Sequence, residues 1–298
     1  MTDRRSVTVA VVSHGRPEGL QECLTALETQ SPNSVIVVAD RASLASVSSS
    51  PLSAVSHVIP FDTPNISMAR NLALQATYTD LIAFIDDDAL PSANWLNSLI
   101  EPFGRPKVMA STGFVRHHGG PRWQFRGEVI DSWARVTSIP PPQETVTLEP
   151  PKDKQAVVTI GTNCAFDVAC LADIGGFDEG FRYFLDEADV NMRLAARGAR
   201  TALVPHAIVD HYPAASQHRR SDGVLRDQTE IGASLEYFIR KYADAQDCNQ
   251  AWELAKSRQM VGIIRAMIKG QVEPRDVHRA RSQLEKGRQL ADIRRIGE

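Results

Sequence analysis

Three consecutive aspartates, Asp86, Asp87 and Asp88, close an apolar run in the segment IDDDALP, and adjacent carboxylates repel one another unless they share a cation. Asp86 and Asp88 flank one residue, so an extended backbone projects both to the same side. Such a pair can hold a nucleotide ribose and a divalent metal bridging two phosphates. A solvated acidic turn leading into a helix after Pro91, with Ser92 as its cap, is the competing reading of the same residues.

Three further acidic signals accompany this one. Asp40 ends the apolar run Val35 to Ala39, where a carboxylate can accept a hydrogen bond from the ring N–H of a base; a surface turn explains it equally well in isolation. The segment FLDEADVNMRLAARG sets Asp186, Glu187 and Asp189 in the first turn of a helix whose Val190 and Leu194 face inward, and acids at that position also suit the helix dipole without any catalytic duty. Asp210 and His211 end a short apolar strand from Ala207. A lone histidine is usually structural, but one at a strand end can complete a metal site with an acidic cluster.

These residues need elements to hold them. Val7 to Val12 is β-branched and is followed by Gly15, Pro17 and a helical pattern through Leu20, Cys23, Leu24 and Leu27. Val35 to Ala39 and Val55 to Ile59 predict two more strands. Pro64 and Asn65 precede a helix carrying Met68, Leu72 and Ala76, and Leu81 to Ile85 predicts a fourth strand. Strands alternating with helices predict an α/β fold with a mostly parallel central sheet flanked by helices, in which ligands gather beyond the C-terminal strand ends. Thr137 to Lys154, rich in proline, predicts an exposed, partly mobile loop. Strands through Ala156 to Ile160 and Ala202 to Val204 bracket a helix from about Asp186 to Arg197. The α/β unit is expected to span residues 1–213 and a C-terminal helical extension residues 214–298. In that extension Ile231, Leu235, Phe238, Ile239 and Tyr242 form one apolar face, and Val261, Ile264, Met267 and Ile268 a second, both expected to pack against the main domain.

Composition narrows the function classes. The 298 residues are 43% hydrophobic and 23% charged with a net charge of −3, so a general polyanion binder is excluded and no nucleic-acid partner is expected. Four cysteines without CxxC spacing signal neither a zinc site nor a disulfide scaffold and suit a reducing compartment. The opening run MTDRRSVTVAVVSH is interrupted before it could act as a secretory h-region or a membrane span, which predicts a cytoplasmic protein. Peripheral contact with the inner membrane face through the C-terminal helices is a secondary expectation. No GxGxxG follows the first strand, which argues against a Rossmann dehydrogenase.

Taken together, the segments resemble family 2 inverting glycosyltransferases of the GT-A (nucleotide-diphospho-sugar transferase) fold over roughly Val7 to Tyr212. VAVVSHGRPEGLQECLTAL resembles the opening strand, Arg-Pro loop and first helix, and VIVVADRAS the base-binding strand. ISMARNLALQATYTDLIAFIDDDALP resembles the Ala-Arg-Asn helix leading into the DXD motif. GTNCAFDVACLADIGGFDEGF is similar to the acceptor-side segment, and LDEADVNMRLAARG to the helix bearing the catalytic base. The base motif departs from the family in reading Asp186-Glu187 for the usual Glu-Asp, and the first loop has His14-Gly15 where an aromatic or amide residue is common.

The resemblance implies a metal-dependent transferase moving a sugar from a nucleotide diphosphate donor to an acceptor hydroxyl, on a saccharide or other glycan precursor. It places Asp40, Arg70, Asp86 and Asp87 on the nucleotide side, Asp88 and His211 on a divalent cation, Mn²⁺ or Mg²⁺, and Glu187 as general base with Asp186 as an orienting or acceptor-binding neighbour. Asp40 favours UDP or dTDP, whose bases carry a ring N–H, over cytidine. A sugar-phosphate nucleotidyltransferase would share much of the fold but carry a Gly-rich, Arg-containing phosphate loop, of which SHGRPEG is a poor version. A non-catalytic binding protein would have lost carboxylates that are all present.

Overall fold

The computed structural model describes residues 5–47, 55–117, 120–152, 154–212, 220 and 224–294. β1 (Val7–Ser13) leads into α1 (Pro17–Leu27), whose proline sits in the first turn, where a missing N–H leaves nothing unpaired. β2 (Ser34–Ala39) passes through Asp40 into α2 (Arg41–Val47), and β3 (Val55–Pro60) into α3 (Ile66–Gln75). Asn65 caps α3 by accepting the Met68 N–H at 3.1 Å. β4 (Leu81–Asp86) ends in the aspartate run and is followed by β5 (Ala89–Pro91) and α4 (Trp95–Ile100). Then come β6 (Val108–His117), β7 (Trp123–Phe125), β8 (Glu128–Asp131), β9 (Val136–Ser138), β10 (Val146–Leu148), β11 (Gln155–Val158) and β12 (Cys164–Asp167). α5 (Val168–Asp173), α6 (Asp186–Ala196) and β13 (Arg200–His211) complete this part, and α7 (Thr229–Tyr242), α8 (Cys248–Ile268) and α9 (Pro274–Leu290) follow.

Among the described residues the main sheet has the order β10-β13-β6-β12-β4-β1-β2-β3, with β5 on β13 and β7 on β6. β3, β2, β1 and β4 are parallel neighbours; β12 runs against them, and β6 and β13 run with them. The C-terminal ends of β1, β2, β4 and β13 therefore open on one edge, which is what brings Asp40, the aspartate run and His211 together. Because the side-chain period of a strand is two, β1 buries Val7, Val9 and Val11 toward α1 and α4, and Ala10 toward α3, α5 and α6. A third layer, the small sheet β11-β8-β9 with α7, α8 and α9, packs on the outer side of α6. α6 is thus apolar on two faces: Val190 and Leu194 meet the main sheet, while Leu185, Ala188 and Met192 meet the third layer.

Several sequence expectations are corrected here. The stretches Ala202 to Val204 and Ala207 to His211 are one strand, β13, broken by a register shift between Val204 and Ile208. Pro205, which has no N–H to donate, sits in the shift. Asn94 rather than Ser92 stands at the N-cap of α4, because β5 prolongs the extended chain. Ser92 uses its backbone instead, donating to the Ile208 carbonyl and accepting from the Trp95 N–H. The segment Thr137 to Lys154 has no buried residue among those described, as expected of an exposed loop, but carries two short strand contacts the sequence did not suggest: β9 pairs with β8 and β10 with the edge of β13; Asp153 lies outside the described residues.

The first C-terminal apolar set is buried as expected, with α7 covered on every side from Ile231 to Ile239. The second is not. Val261, Ile264 and Ile268 are 43%, 38% and 77% exposed, because α8 turns Trp252, Ala255, Ile263 and Ala266 inward instead. The boundary expected at Pro213 falls among residues outside the described ones. No described helix is long and apolar enough to cross a membrane.

α7 and α9 approach so closely that glycines are required at the crossing. A Cβ on Gly287 would lie 2.1 Å from the Thr229 carbonyl oxygen, and one on Gly232 2.4 Å from that of Leu284. Gly287→Ala is therefore expected to force the helices apart, lowering stability by about 1–3 kcal/mol. Gly262→Ala, in α8 where a Cβ meets nothing within 4 Å, should leave the melting temperature unchanged or raise it. Thermal denaturation of the two variants checks the pair; equal behaviour would contradict the packing.

Candidate active site

The open edge of the main sheet carries a cleft of about 450 Å³ lined by His14, Arg16, Arg70, Asp86, Asp88, Glu187 and His211, among others. Alternation along the chain after β4 divides the three aspartates. Asp86 and Asp88 look into the cleft, whereas Asp87 is 1% exposed and points the other way. Burial pushes the Asp87 carboxyl up to about 7, against the pull of the Arg16 guanidinium, whose Nη2 lies 2.6 Å from Asp87 Oδ1. Burial and the neighbouring Asp88 likewise raise Asp86. Asp87 does not line the cleft, so the structure separates it from Arg70 and Asp86, which do.

The chain reverses at Asp88 into β5, which pairs antiparallel with the end of β13, and the Tyr212 N–H donates to the Asp88 carbonyl at 2.8 Å. This fold-back brings His211 to the aspartates across more than a hundred residues. Ligand atoms of Asp86, Asp88 and His211 all lie within 4.8 Å of one another, and His211 Nε2 is 3.1 Å from Asp88 Oδ1. Gln124 Oε1 accepts from His211 Nδ1 at 2.7 Å, which orients the ring with Nε2 toward the carboxylate. A cation placed between that nitrogen and the carboxylate would take a lone pair from each. The donor set of two carboxylates and an imidazole fits a divalent metal such as Mn²⁺ or Mg²⁺.

On the opposite wall, Arg70 reaches from α3 into the first turn of α6. Its Nη1 donates to Asp186 Oδ2 and, at 2.6 Å, to Glu187 Oε1, and its Nη2 lies 3.9 Å from Asp86 Oδ1. The guanidinium is 4% exposed and stacks near the rings of Phe84 and Phe177, 5.6 and 5.5 Å from their centroids. Asp186 is buried beside it; burial first, then the Glu187 charge, push its carboxyl well above the usual range, with Arg70 pulling the other way. Glu187, 19% exposed at its side chain, faces the cleft.

Two local features make this arrangement fit. Gly161 passes so close that a Cβ would fall 1.8 Å from Glu187 Oε1 and 2.1 Å from Arg70 Nη2. Leu185, at the N-cap of α6, has φ +67°, a left-handed conformation in which an L residue with a Cβ is strained. The next residue of α3, Asn71, exchanges hydrogen bonds with the Phe177 backbone at 2.8 and 2.9 Å, so adjacent positions serve the site and its support. Asp189, the third acid of the cluster, is instead a structural anchor, held by Arg193, by Lys241 at 2.7 Å and by the Tyr242 hydroxyl at 2.6 Å.

Asp40 stands at the edge of this arrangement. Its Oδ1 accepts from the Ser43 N–H at 2.8 Å and its Oδ2 lies 3.2 Å from His14 Nδ1, so the carboxylate closes the turn into α2 and the His14 ring is what lines the cleft. Burial acts to raise its pKa, but the hydrogen bonds from Ser43 outweigh it and hold the carboxyl below its ordinary value. Sequence reasoning did not assign Arg16, Gln124 or Gly161 to the site. Arg16 had a signal in its place within the Arg-Pro loop and Gly161 in GTNCAF; Gln124 had none.

The sequence profile of Glycosyl transferase family 2 matches residues 8–175. A pre-mycofactocin glycosyltransferase of Mycobacterium tuberculosis is 29% identical over 211 residues, covering 70% of this chain and 43% of the relative, so the chain spans less than half of that protein's length. The succinoglycan biosynthesis protein ExoM of Rhizobium meliloti is 39% identical over 77 residues, 24% of this chain and 25% of ExoM. A mannosyltransferase of Pyrobaculum calidifontis, solved with GDP-Man and Mn²⁺, superposes with a TM-score of 0.59 at 17% identity over 98% of this chain and 88% of its own. GalNAc-T7, solved with UDP, GalNAc and Mn²⁺, superposes with a TM-score of 0.56 at 13% identity over 71% of this chain and 44% of its own. The profile match over more than half the chain, on a sheet and helices of GT-A type, means that this protein belongs to glycosyl transferase family 2.

Proposed function

We propose that this chain transfers a sugar from a nucleotide diphosphate to an acceptor hydroxyl, on a saccharide or other glycan precursor, with inversion at the anomeric carbon. The observation that carries the reading is the placement of a metal-type donor set, Asp86, Asp88 and His211, and of the Glu187 carboxylate in one cleft. Asp88 and His211 would hold Mn²⁺ or Mg²⁺, with Asp86 turned to the ribose side. Bound there, the cation neutralises charge that develops on the departing diphosphate.

The chain's own groups account for the rest. Arg70 fixes Glu187 through Oε1, leaving Oε2 to take the acceptor proton as the acceptor oxygen attacks the anomeric carbon and the nucleoside diphosphate leaves from the opposite face. Asp186, buried beside Glu187, shares the Arg70 guanidinium with it and so orients the base. Asp40, when a base enters beside His14, offers an acceptor to the ring N–H of uracil or thymine, which underlies a preference for UDP or dTDP donors.

A second reading concerns location. The exposed stripe of Leu254, Val261, Ile264 and Ile268 on α8 is flanked by exposed Arg265 and Lys269, a combination that suits an anionic lipid surface. Co-sedimentation with phosphatidylglycerol vesicles is expected for the native chain and lost on Ile264→Glu with Ile268→Glu. Binding unaffected by these changes, or absent throughout, would remove the membrane reading without touching the transferase one.

Glu187→Gln keeps the size of the side chain and the contact with Arg70, so it should lower turnover ~10²-fold or more while donor binding by calorimetry stays near native. Asp186→Asn should affect turnover less and acceptor KM more. Near-normal turnover in Glu187→Gln would refute the base assignment. Asp88→Ala should abolish the metal dependence of nucleotide binding, measured by titrating UDP with and without Mn²⁺; a retained dependence would displace the metal from this residue.

A further inference from the structure

Arg16 holds two aspartates at once. Its Nη2 lies 2.6 Å from Asp87 Oδ1 and its Nη1 2.6 Å from Asp88 Oδ2, while its side chain remains about a quarter exposed and lines the cleft. The two arms stand in different surroundings. Asp87 is 0% exposed at its side chain, so the Nη2 arm is tethered to a carboxylate that water does not reach, and losing the arm would leave that carboxylate buried without its cation. Asp88 is a member of the metal-type donor set, so the Nη1 arm occupies an oxygen that a cation would claim. The Arg16 Nε lies buried without a hydrogen-bond partner among the described residues, so the guanidinium is held by its two ends.

We propose that Arg16 is a positioning residue that acts as an exchangeable counter-ion. It neutralises Asp88 while the cleft is empty and, when a divalent cation takes Asp88, turns its Nη1 arm to a phosphate oxygen of the donor, pivoting on Asp87. The exchange conserves charge: Asp88 trades one cation for another, and the freed guanidinium arm meets the negative charge that the diphosphate brings in. A bidentate fork can do this where an ammonium cannot, because one arm stays anchored while the other changes partner. The consequence is that metal and nucleotide favour each other's binding through Arg16, beyond any direct contact between them. The inference rests on the metal site proposed above.

Coupling, rather than affinity alone, distinguishes this from a simple field effect. A fixed positive charge would weaken Mn²⁺ binding and strengthen nucleotide binding independently, leaving their mutual enhancement unchanged when it is removed. An exchanging arm contributes to that enhancement. Mn²⁺ affinity, read by electron paramagnetic resonance without and with saturating UDP, gives the coupling factor for each variant. Arg16→Gln is expected to bind Mn²⁺ alone several-fold more tightly than the native chain and to show a coupling factor lower by ~10-fold, within the ordinary range of such couplings. If Arg16→Gln does not fold because Asp87 loses its buried partner, Arg16→Lys, which keeps a charge at Asp87 and lacks the second arm, carries the same test. A native coupling factor in the variant would overturn the proposal. Absence of Mn²⁺ binding by the native chain even with UDP would instead overturn the metal site on which it rests.

Discussion

The Arg70 guanidinium, buried between Asp186 and Glu187 on one side and approached by Asp86 on the other, is the constraint around which the cleft is arranged. A buried arginine cannot shed its proton, so it must be paired, and breaking such a pair by removing one partner typically costs ~3–5 kcal/mol. The acids of α6 are therefore fixed relative to α3 and to the end of β4, and the proposed base and the proposed metal ligands share one frame. Gly161 lacks a side chain where the ion pair passes, and Leu185 adopts a strained φ where α6 begins. Both are the expected marks of a site whose geometry is imposed by its surroundings.

The helices after β13 have a part in that frame. They cover the outer face of α6, and their polar contacts converge on it: Lys241 bonds Asp178 at 2.6 Å and Asp189 at 2.7 Å, and Tyr242 bonds Asp189. Asp178 belongs to the segment that Asn71 of α3 also holds through Phe177. The first turn of α6 is thus braced from the sheet side by Arg70 and from the opposite side by α7. Residues on either side of the expected 213/214 boundary are in this sense parts of one support. We regard the helical extension as what holds α6 in place, in addition to any surface it presents.

What the sequence made legible follows the range of the forces involved. Strands and helices with strong periodicity, such as Val7 to Val12 and the Leu20, Cys23, Leu24 and Leu27 stripe, declare themselves locally and stand where expected. The acidic strand end was legible for the same reason, because two-residue alternation alone sends Asp86 and Asp88 to one side. Contacts set by topology were not. The approach of Gln124 to His211 depends on β7 lying beside β6, and Arg16's grip on Asp88 spans 72 positions. Asp186, Glu187 and Asp189 looked alike in sequence and differ only in what reaches them: Arg70 for the first two, Lys241 and Tyr242 for the third. The outward turn of Val261, Ile264 and Ile268 was hidden because α8 carries apolar residues on both faces, and neighbouring helices decide which is covered.

The proposed role of Glu187, a carboxylate across the cleft from the proposed metal ligands, requires a single displacement in which the acceptor oxygen enters from the side opposite the leaving group. The configuration of the product therefore tests the account most directly. With an α-linked UDP-sugar as donor, proton NMR of the new glycosidic linkage should show the β-anomer as the sole product at early times. Formation of the α-anomer would contradict the role given to Glu187 and the single displacement built on it.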